Sequence, residues 1–232
     1  MALPKQQLPI FSATIPSTQQ KIKFRGFTVK EEKSLLLAQE SEDPDVIINA
    51  VNEILSACIQ DKIDVLKLAT FDVEYLMTHI RAKSVGETVK LRMPCDVDEN
   101  HKRTLIEIDI SQIKVKIPEN HHKVIKLYDD VGVTMKYPTM QTIVDVENAT
   151  GVDVIVMCLE NIFTDEEVFP ASEQTREEIM DFLDGLTKSQ IEKIEKEFFE
   201  TMPSFEFEFE YKCQECGTEH KKIIRGLNNF FT

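Results

Sequence analysis

The spacing of apolar residues in the first part of the chain predicts helices. Apolar residues recur roughly every three or four positions through residues 28–41, 43–59 and 71–84, which is the period of a helix with one buried face. Thr28 begins the first stretch as an N-cap. Pro44 stands in the first turn of the second stretch, where proline is tolerated. We therefore predict three helices in this part of the chain.

The pattern then changes to a two-residue alternation, which predicts strands. In residues 87–95 and 104–110 apolar side chains alternate with polar ones, and the polar stretch between them predicts a hairpin. Shorter strands are expected in residues 112–117, 122–130 and 133–138. The middle of the chain is therefore expected to be rich in β-structure.

Helical spacing returns after Pro138. Helices are predicted in residues 152–163, 174–186 and 189–202. Thr187, together with a glutamine three positions later, forms a capping box for the last of these helices.

A final hairpin is predicted from the clearest alternation in the chain. Residues 205–211 place aromatic side chains on one face and glutamates on the other. Residues 220–226 form the natural return strand, with Gly217 in the turn between the two.

These elements predict an α+β fold with helical segments, two antiparallel β-hairpins of zinc-ribbon type and a small mixed or antiparallel sheet. The first segment is expected to pack on its own domain rather than across another subunit. Five segments are predicted: an extended N-terminal arm (1–28), a helical region (29–85), a β-rich region with the first cysteine hairpin (86–137), a second helical region (138–203) and a C-terminal ribbon-like hairpin (204–232).

The net charge of the chain limits the classes of partner that the protein is expected to bind. The 232 residues include 27 lysines and arginines against 41 acids, for a formal net charge of −14. Such a chain repels phosphate backbones and anionic lipid, so we expect neither nucleic acid nor a membrane as a partner, and docking onto other proteins suits it better. The longest apolar run, residues 152–159, is far shorter than the ~20 residues that span a bilayer. Five scattered cysteines and no secretory signal lead us to expect a reducing, cytosolic compartment.

The cysteines suggest one candidate site. Cys213 and Cys216 form a C-x-x-C pair between two predicted strands, which is the usual half of a zinc ribbon. The first hairpin also carries a cysteine at the end of its first strand, Cys95, but has Asp98 where a second cysteine would stand.

Completion of that site requires a fourth ligand, and either His101 or His220 can supply one. Because no second C-x-x-C pair is present, the sequence favours a hairpin that keeps the ribbon shape without a metal over an intact zinc site. The sequence therefore predicts no cofactor, and zinc is the candidate that this pattern leaves open.

Other chemistries have less support. A thioredoxin-like role needs C-x-x-C at a strand-to-helix junction, whereas strands flank this motif. Residues 96–107 place acids at calcium-loop positions, but His101 occupies the position that needs glycine. No Gly-rich phosphate loop, G-x-S-x-G or H-E-x-x-H occurs, so we expect neither an enzyme nor a small-molecule substrate.

Several sequence blocks, spread over nearly the whole chain, resemble one family. The opening LPIFSATIPSTQQKIKFRGFTVKEEKSLLLAQES resembles the start of the baseplate hub proteins of T-even-like contractile-tailed phages, although family members favour proline where this chain has Gly26. The blocks that carry the resemblance are IPST (Ile15–Thr18), FRGFTVKEEK (Phe24–Lys33), IRAKSVGE (Ile80–Glu87), KYPT (Lys136–Thr139) and GLNNFF (Gly226–Phe231).

The resemblance implies an assembly factor, chaperone-like in action, or a minor structural subunit of the hub. It implies other phage hub proteins as partners, and a location in the host cytoplasm during assembly or in the tail baseplate. The alternative is a zinc-ribbon adaptor or regulatory protein that binds protein or nucleic acid through the C-terminal hairpin. The glutamate-rich strand 205–211 disfavours the nucleic-acid version of that alternative.

Overall fold

The computed structural model describes residues 6–41, 43–142 and 151–225. It divides the chain into two compact units. Unit 1 takes Met1–Val65, Phe71–Lys116 and Ser204–Thr232, and unit 2 takes Leu66–Thr70 and Ile117–Pro203. The resemblance block Gly226–Phe231 lies outside the described residues. The architecture is α+β, as predicted, with several small antiparallel sheets.

Unit 1 begins with a hairpin in the segment that was expected to be an extended arm. Strands β1 (Ile10–Thr14) and β2 (Lys21–Arg25) pair antiparallel. Ile22 on β2 is buried, and the turn between the strands is held by Asp72, which accepts hydrogen bonds from the backbone N–H of Ser17 at 2.9 Å and from its hydroxyl. The arm therefore packs on its own unit.

Three helices of unit 1 lie where the apolar spacing predicts them. They are α1 (Val29–Ser41), α2 (Pro44–Cys58) and α3 (Thr70–Ser84), of which α3 begins at the last residue of unit 2. Asp43 caps α2, because its side chain accepts a hydrogen bond from the Asp45 N–H at 3.0 Å. The apolar faces of these helices supply much of the buried core of unit 1.

The two cysteine hairpins of unit 1 share a hydrophobic core. Strands β3 (Thr88–Met93) and β4 (Thr104–Asp109) form the first hairpin. Strands β10 (Ser204–Lys212) and β11 (Glu219–Arg225) form the second, and β5 (Val115–Lys116) pairs with the start of β10. Buried residues from both hairpins and from the segments beside them contact one another, namely Ala82, Val89, Ile108, Ile110, Ile113, Phe205 and Ile224. The ribbon-like character of the hairpins stays a prediction.

Unit 2 packs helices against a four-stranded antiparallel sheet. The strands, in spatial order, are β6 (Val124–Tyr128), β7 (Val131–Met135), β8 (Leu159–Phe163) and β9 (Val168–Pro170). The helices are α4 (Gly151–Cys158), α5 (Arg176–Asp184) and α6 (Lys188–Ile194), of which α6 continues into a π-helical turn, Glu195–Phe199. The capping box at Thr187 is present, and the buried centre of the unit includes Ile125, Val133, Leu159 and Phe198.

The prediction of a single helix through residues 152–163 is wrong in its second half. The helix ends at Cys158, and the next five residues form β8, in which Asn161 pairs with Thr134 of β7. A short run rich in valine and isoleucine fits a helix and a buried strand equally well by spacing. Pairing with β7, which is distant in sequence, decides between them.

Gly132 on β7 occupies a position in this sheet that has no room for a side chain. A Cβ at this position would collide with the Phe163 ring and would lie 2.7 Å from the Ile125 carbonyl oxygen, which is backbone of the neighbouring strand. We expect Gly132→Ala to lower the free energy of unfolding by about 1–3 kcal/mol, as overpacking does. Gly151→Ala is the matched control, because its Cβ meets nothing within 4 Å and alanine favours a helix. Urea unfolding followed by circular dichroism measures both, and equal stabilities for the two variants would contradict the prediction.

Candidate metal centre

The turns of the two cysteine hairpins bring four metal-ligand side chains together. Cys95 follows β3 and His101 precedes β4, while Cys213 follows β10 and Cys216 lies in the turn to β11. Each offers one ligand atom, and these four atoms all lie within 4.8 Å of one another. We call these four residues the Cys₃His cluster. Cys95 and Cys213 are buried, His101 is partly buried and Cys216 is exposed.

Two of the six distances among these atoms match the edges of a tetrahedral zinc site. The Cys95 and Cys216 sulfurs are 3.7 Å apart, and Cys213 Sγ lies 3.7 Å from His101 Nδ1. Zinc bonds of about 2.3 Å to sulfur and 2.0–2.1 Å to nitrogen give tetrahedral edges of about 3.8 Å between sulfurs and about 3.6 Å between sulfur and nitrogen. The cysteines are free thiols, so no disulfide holds the cluster.

Backbone hydrogen bonds hold the turn that carries Cys213 and Cys216. In the second hairpin the Cys213 N–H donates to the Thr218 carbonyl at 2.9 Å, and the Gly217 N–H donates to the Cys213 carbonyl at 3.0 Å. Gly217 has a φ of 73°, the left-handed region that favours glycine, which lets the turn close tightly. In the first hairpin, burial raises the pKa of the Cys95 thiol, and the backbone N–H groups of Val97 and Asp98 act in the opposite direction.

The pKa values of two thiols in the cluster are shifted in opposite directions. Burial raises the pKa of the Cys95 thiol. Hydrogen bonds with the side chain and backbone of Thr218 lower the pKa of Cys216 to about 6, and the Thr218 hydroxyl oxygen lies 3.3 Å from its sulfur. One sulfur is thus held as the thiolate that metals bind, whereas Cys95 needs a cation to become one.

Two further side chains contact the ligands from outside. Asp98 Oδ2 lies 3.8 Å from His101 Nε2, the ring nitrogen opposite the one that faces the cluster. His220 Nε2 lies 3.5 Å from Cys95 Sγ, while its Nδ1 lies 3.4 Å from Asp96 Oδ2. The His220 side chain is 5% exposed, and its ring stacks on Tyr211.

The structure therefore brings together all three cysteines that the sequence singled out, and it distinguishes the two histidines. His101 joins the ligand atoms, whereas His220 lies outside the group of four and contacts only Cys95 among them. Asp98, which stands where a ribbon would have a cysteine, contacts His101 instead. The sequence favoured a metal-free ribbon for want of a second thiol pair; metal binding stays a prediction.

The other two cysteines are isolated from this site. Cys58 and Cys158 are fully buried, and burial raises the pKa of each thiol to about 11. Thiols with such pKa values stay protonated at neutral pH, so both behave as apolar core residues.

Comparison with known proteins connects the chain to phage tails. The family model described as T4 bacteriophage base plate protein matches residues 8–232. The chain is 26% identical over 219 residues to a protein of Enterobacteria phage T4 named baseplate hub assembly protein gp26, an alignment that covers 90% of this chain and 92% of that protein. No solved structure matches at a significant level.

Proposed function

The chain belongs to the family of T4 bacteriophage base plate proteins, and from this premise we propose that it assists assembly of the baseplate hub by binding other baseplate proteins. The observation that carries the proposal is the nearly full-length similarity to a protein named for hub assembly. The proposed location is the host cytoplasm while tails are built, or the tail baseplate itself.

A binding role without catalysis agrees with the motifs and the net charge of the sequence. The sequence carries no catalytic motif, and a net charge of −14 suits a protein that docks onto other proteins. Within the described ranges, no helix has both the length and the apolar character to cross a bilayer.

A groove beside β3 and β4 offers a surface for such binding. Its volume is about 750 Å³, and it combines the cations Lys90, Arg92 and Arg103 with the apolar side chains Leu91, Met93 and Leu105. Lys90 is paired with Glu107 across the hairpin at 2.9 Å. The arginines, by contrast, have no anionic partner within the described part of the chain.

Charge complementarity indicates what this groove would accept. A basic, partly apolar groove on an otherwise acidic protein attracts an acidic segment with apolar side chains and repels basic ones. We therefore assign the groove to an acidic segment of a partner baseplate protein. Nucleic acid fits less well, because the remaining surface repels phosphate over longer distances.

The proposal is tested by affinity recovery of the protein from infected host cells at successive stages of tail assembly, after nuclease treatment. We expect baseplate proteins to be recovered with it. Recovery of no tail protein at any stage would overturn the proposal. Recovery that disappears with nuclease treatment would favour the alternative of a nucleic-acid-binding adaptor.

The groove is tested by the double variant Arg92→Glu, Arg103→Glu. We expect at least a tenfold loss of recovered partner, since like charges facing one another across an interface cost several kcal/mol. The matched control is Lys21→Glu, Lys30→Glu, which changes net charge equally at exposed positions elsewhere on unit 1. Equal losses in both variants would show that net charge, rather than the groove, matters.

A further inference from the structure

We propose that Cys95, His101, Cys213 and Cys216 bind one Zn²⁺ ion that joins the turns of the two cysteine hairpins. The inference is independent of the hub function, because it rests on the geometry of the four side chains alone. All four ligands belong to unit 1.

The ligand set selects the metal. Three sulfurs and one imidazole nitrogen within 4.8 Å of one another suit zinc, whereas calcium and magnesium require oxygen ligands in larger coordination shells. Four protein ligands fill a tetrahedral ion completely, which leaves no position for water or a substrate. The site is therefore structural rather than catalytic.

His101 is the fourth ligand because its Nδ1 faces the three sulfurs. This nitrogen lies 3.7 Å from Cys213 Sγ, and the Asp98 carboxylate lies 3.8 Å from Nε2 on the other side of the ring. A carboxylate beside the outer nitrogen of a ligating histidine is a common companion of zinc sites.

His220 acts on the site without binding the ion. Its Nε2 is 3.5 Å from Cys95 Sγ, close enough for a hydrogen bond with this ligand. Asp96 and Tyr211 fix the ring from its other sides. His220 is thus a positioning residue for Cys95.

Binding exchanges protons for the metal. Each cysteine that is still a thiol loses its proton to solvent when its sulfur bonds the ion, and no electron is transferred. The ion then links Cys95 to Cys216, which stand 121 positions apart in the chain. The shared hydrophobic core holds the bodies of the hairpins, and the ion fixes their turns.

The test is elemental analysis of untagged protein purified without chelator. We expect about one zinc per chain, and less than about 0.1 in Cys213→Ser and in His101→Ala, because each removes one of the four ligands. Cys58→Ala is the matched control, since it removes a buried thiol that is not part of the cluster, and this variant should retain the ion. His220→Ala should also retain it, but release it to a competing chelator at least tenfold faster than the wild type.

A Co²⁺ titration of the wild-type protein gives a readout that does not depend on variants folding. Binding should produce the absorption of tetrahedral Co²⁺ with thiolate charge-transfer bands, one ion per chain. Less than about 0.1 zinc per wild-type chain together with no tetrahedral Co²⁺ spectrum would overturn the proposal. A His220→Ala variant that loses zinc while His101→Ala keeps it would overturn the ligand assignment.

Discussion

Replacing Asp72 with alanine should lower the free energy of unfolding by about 2–4 kcal/mol, since a buried hydrogen-bonded carboxylate is lost and its donors stay behind. Asp72 on α3 is fully buried, and it accepts both the backbone N–H and the hydroxyl of Ser17. Without it, the turn of the β1–β2 hairpin keeps two donors with no acceptor. The hairpin should therefore detach from α3 before the rest of unit 1 unfolds.

Asp61 provides the matched control for this prediction. It also accepts a backbone N–H of the N-terminal hairpin, that of Lys23 at 2.6 Å, but at an exposed position. Water can replace it there, so Asp61→Ala should cost less than about 1 kcal/mol. Urea unfolding gives both values, and hydrogen exchange of residues 10–25 should accelerate only in Asp72→Ala. Similar effects for the two variants would refute a special role for the buried carboxylate.

The second large effect is expected at Phe198 in unit 2. Its side chain is fully buried, with ring centres of His121 at 5.3 Å, Tyr137 at 5.8 Å and Phe199 at 5.0 Å. Truncation to alanine should lower the free energy of unfolding by about 3–5 kcal/mol, because it removes apolar burial and leaves a cavity between rings that cannot collapse fully.

Substitutions at the neighbouring Phe199 test whether burial or aromatic character determines the loss of stability. It is only partly buried, so Phe199→Ala should cost clearly less than Phe198→Ala. Phe198→Leu should be less destabilising than Phe198→Ala, because leucine keeps more of the buried apolar volume. Chemical denaturation of the three variants makes the comparison. A ranking with Phe199→Ala as the most destabilising would contradict this account of the core.

Much of the fold could be predicted because local spacing agrees with tertiary packing. Helices α1, α2 and α3 and both cysteine hairpins lie where the period of apolar residues places them. The end of α4 at Cys158 could not be found in this way, because the residues after it become a strand only by pairing with β7. That pairing is non-local, and no periodicity within the run reports it.

The candidate site could likewise be predicted in part from the sequence. A C-x-x-C pair and one further cysteine at a hairpin turn identify three members of the Cys₃His cluster by residue type and position. The choice of His101 over His220 depends on how the turn after Cys95 folds, where the His101 N–H donates to the Asp98 carbonyl at 3.2 Å. The separation of Cys95 and His101 is not a standard ligand spacing, so sequence alone leaves that choice open.

The discontinuity of unit 1 has a consequence for biosynthesis. Most of unit 2, Ile117–Pro203, lies between β5 and β10 in the chain, so a ribosome makes all of unit 2 while unit 1 still lacks its last two strands. Domains fold as units during translation once their residues have emerged. A nascent chain halted before Cys213 therefore holds a complete unit 2, an open unit 1 and only half of the Cys₃His cluster. The four side chains of that cluster can therefore come together only after the ribosome has made the turn of the last hairpin.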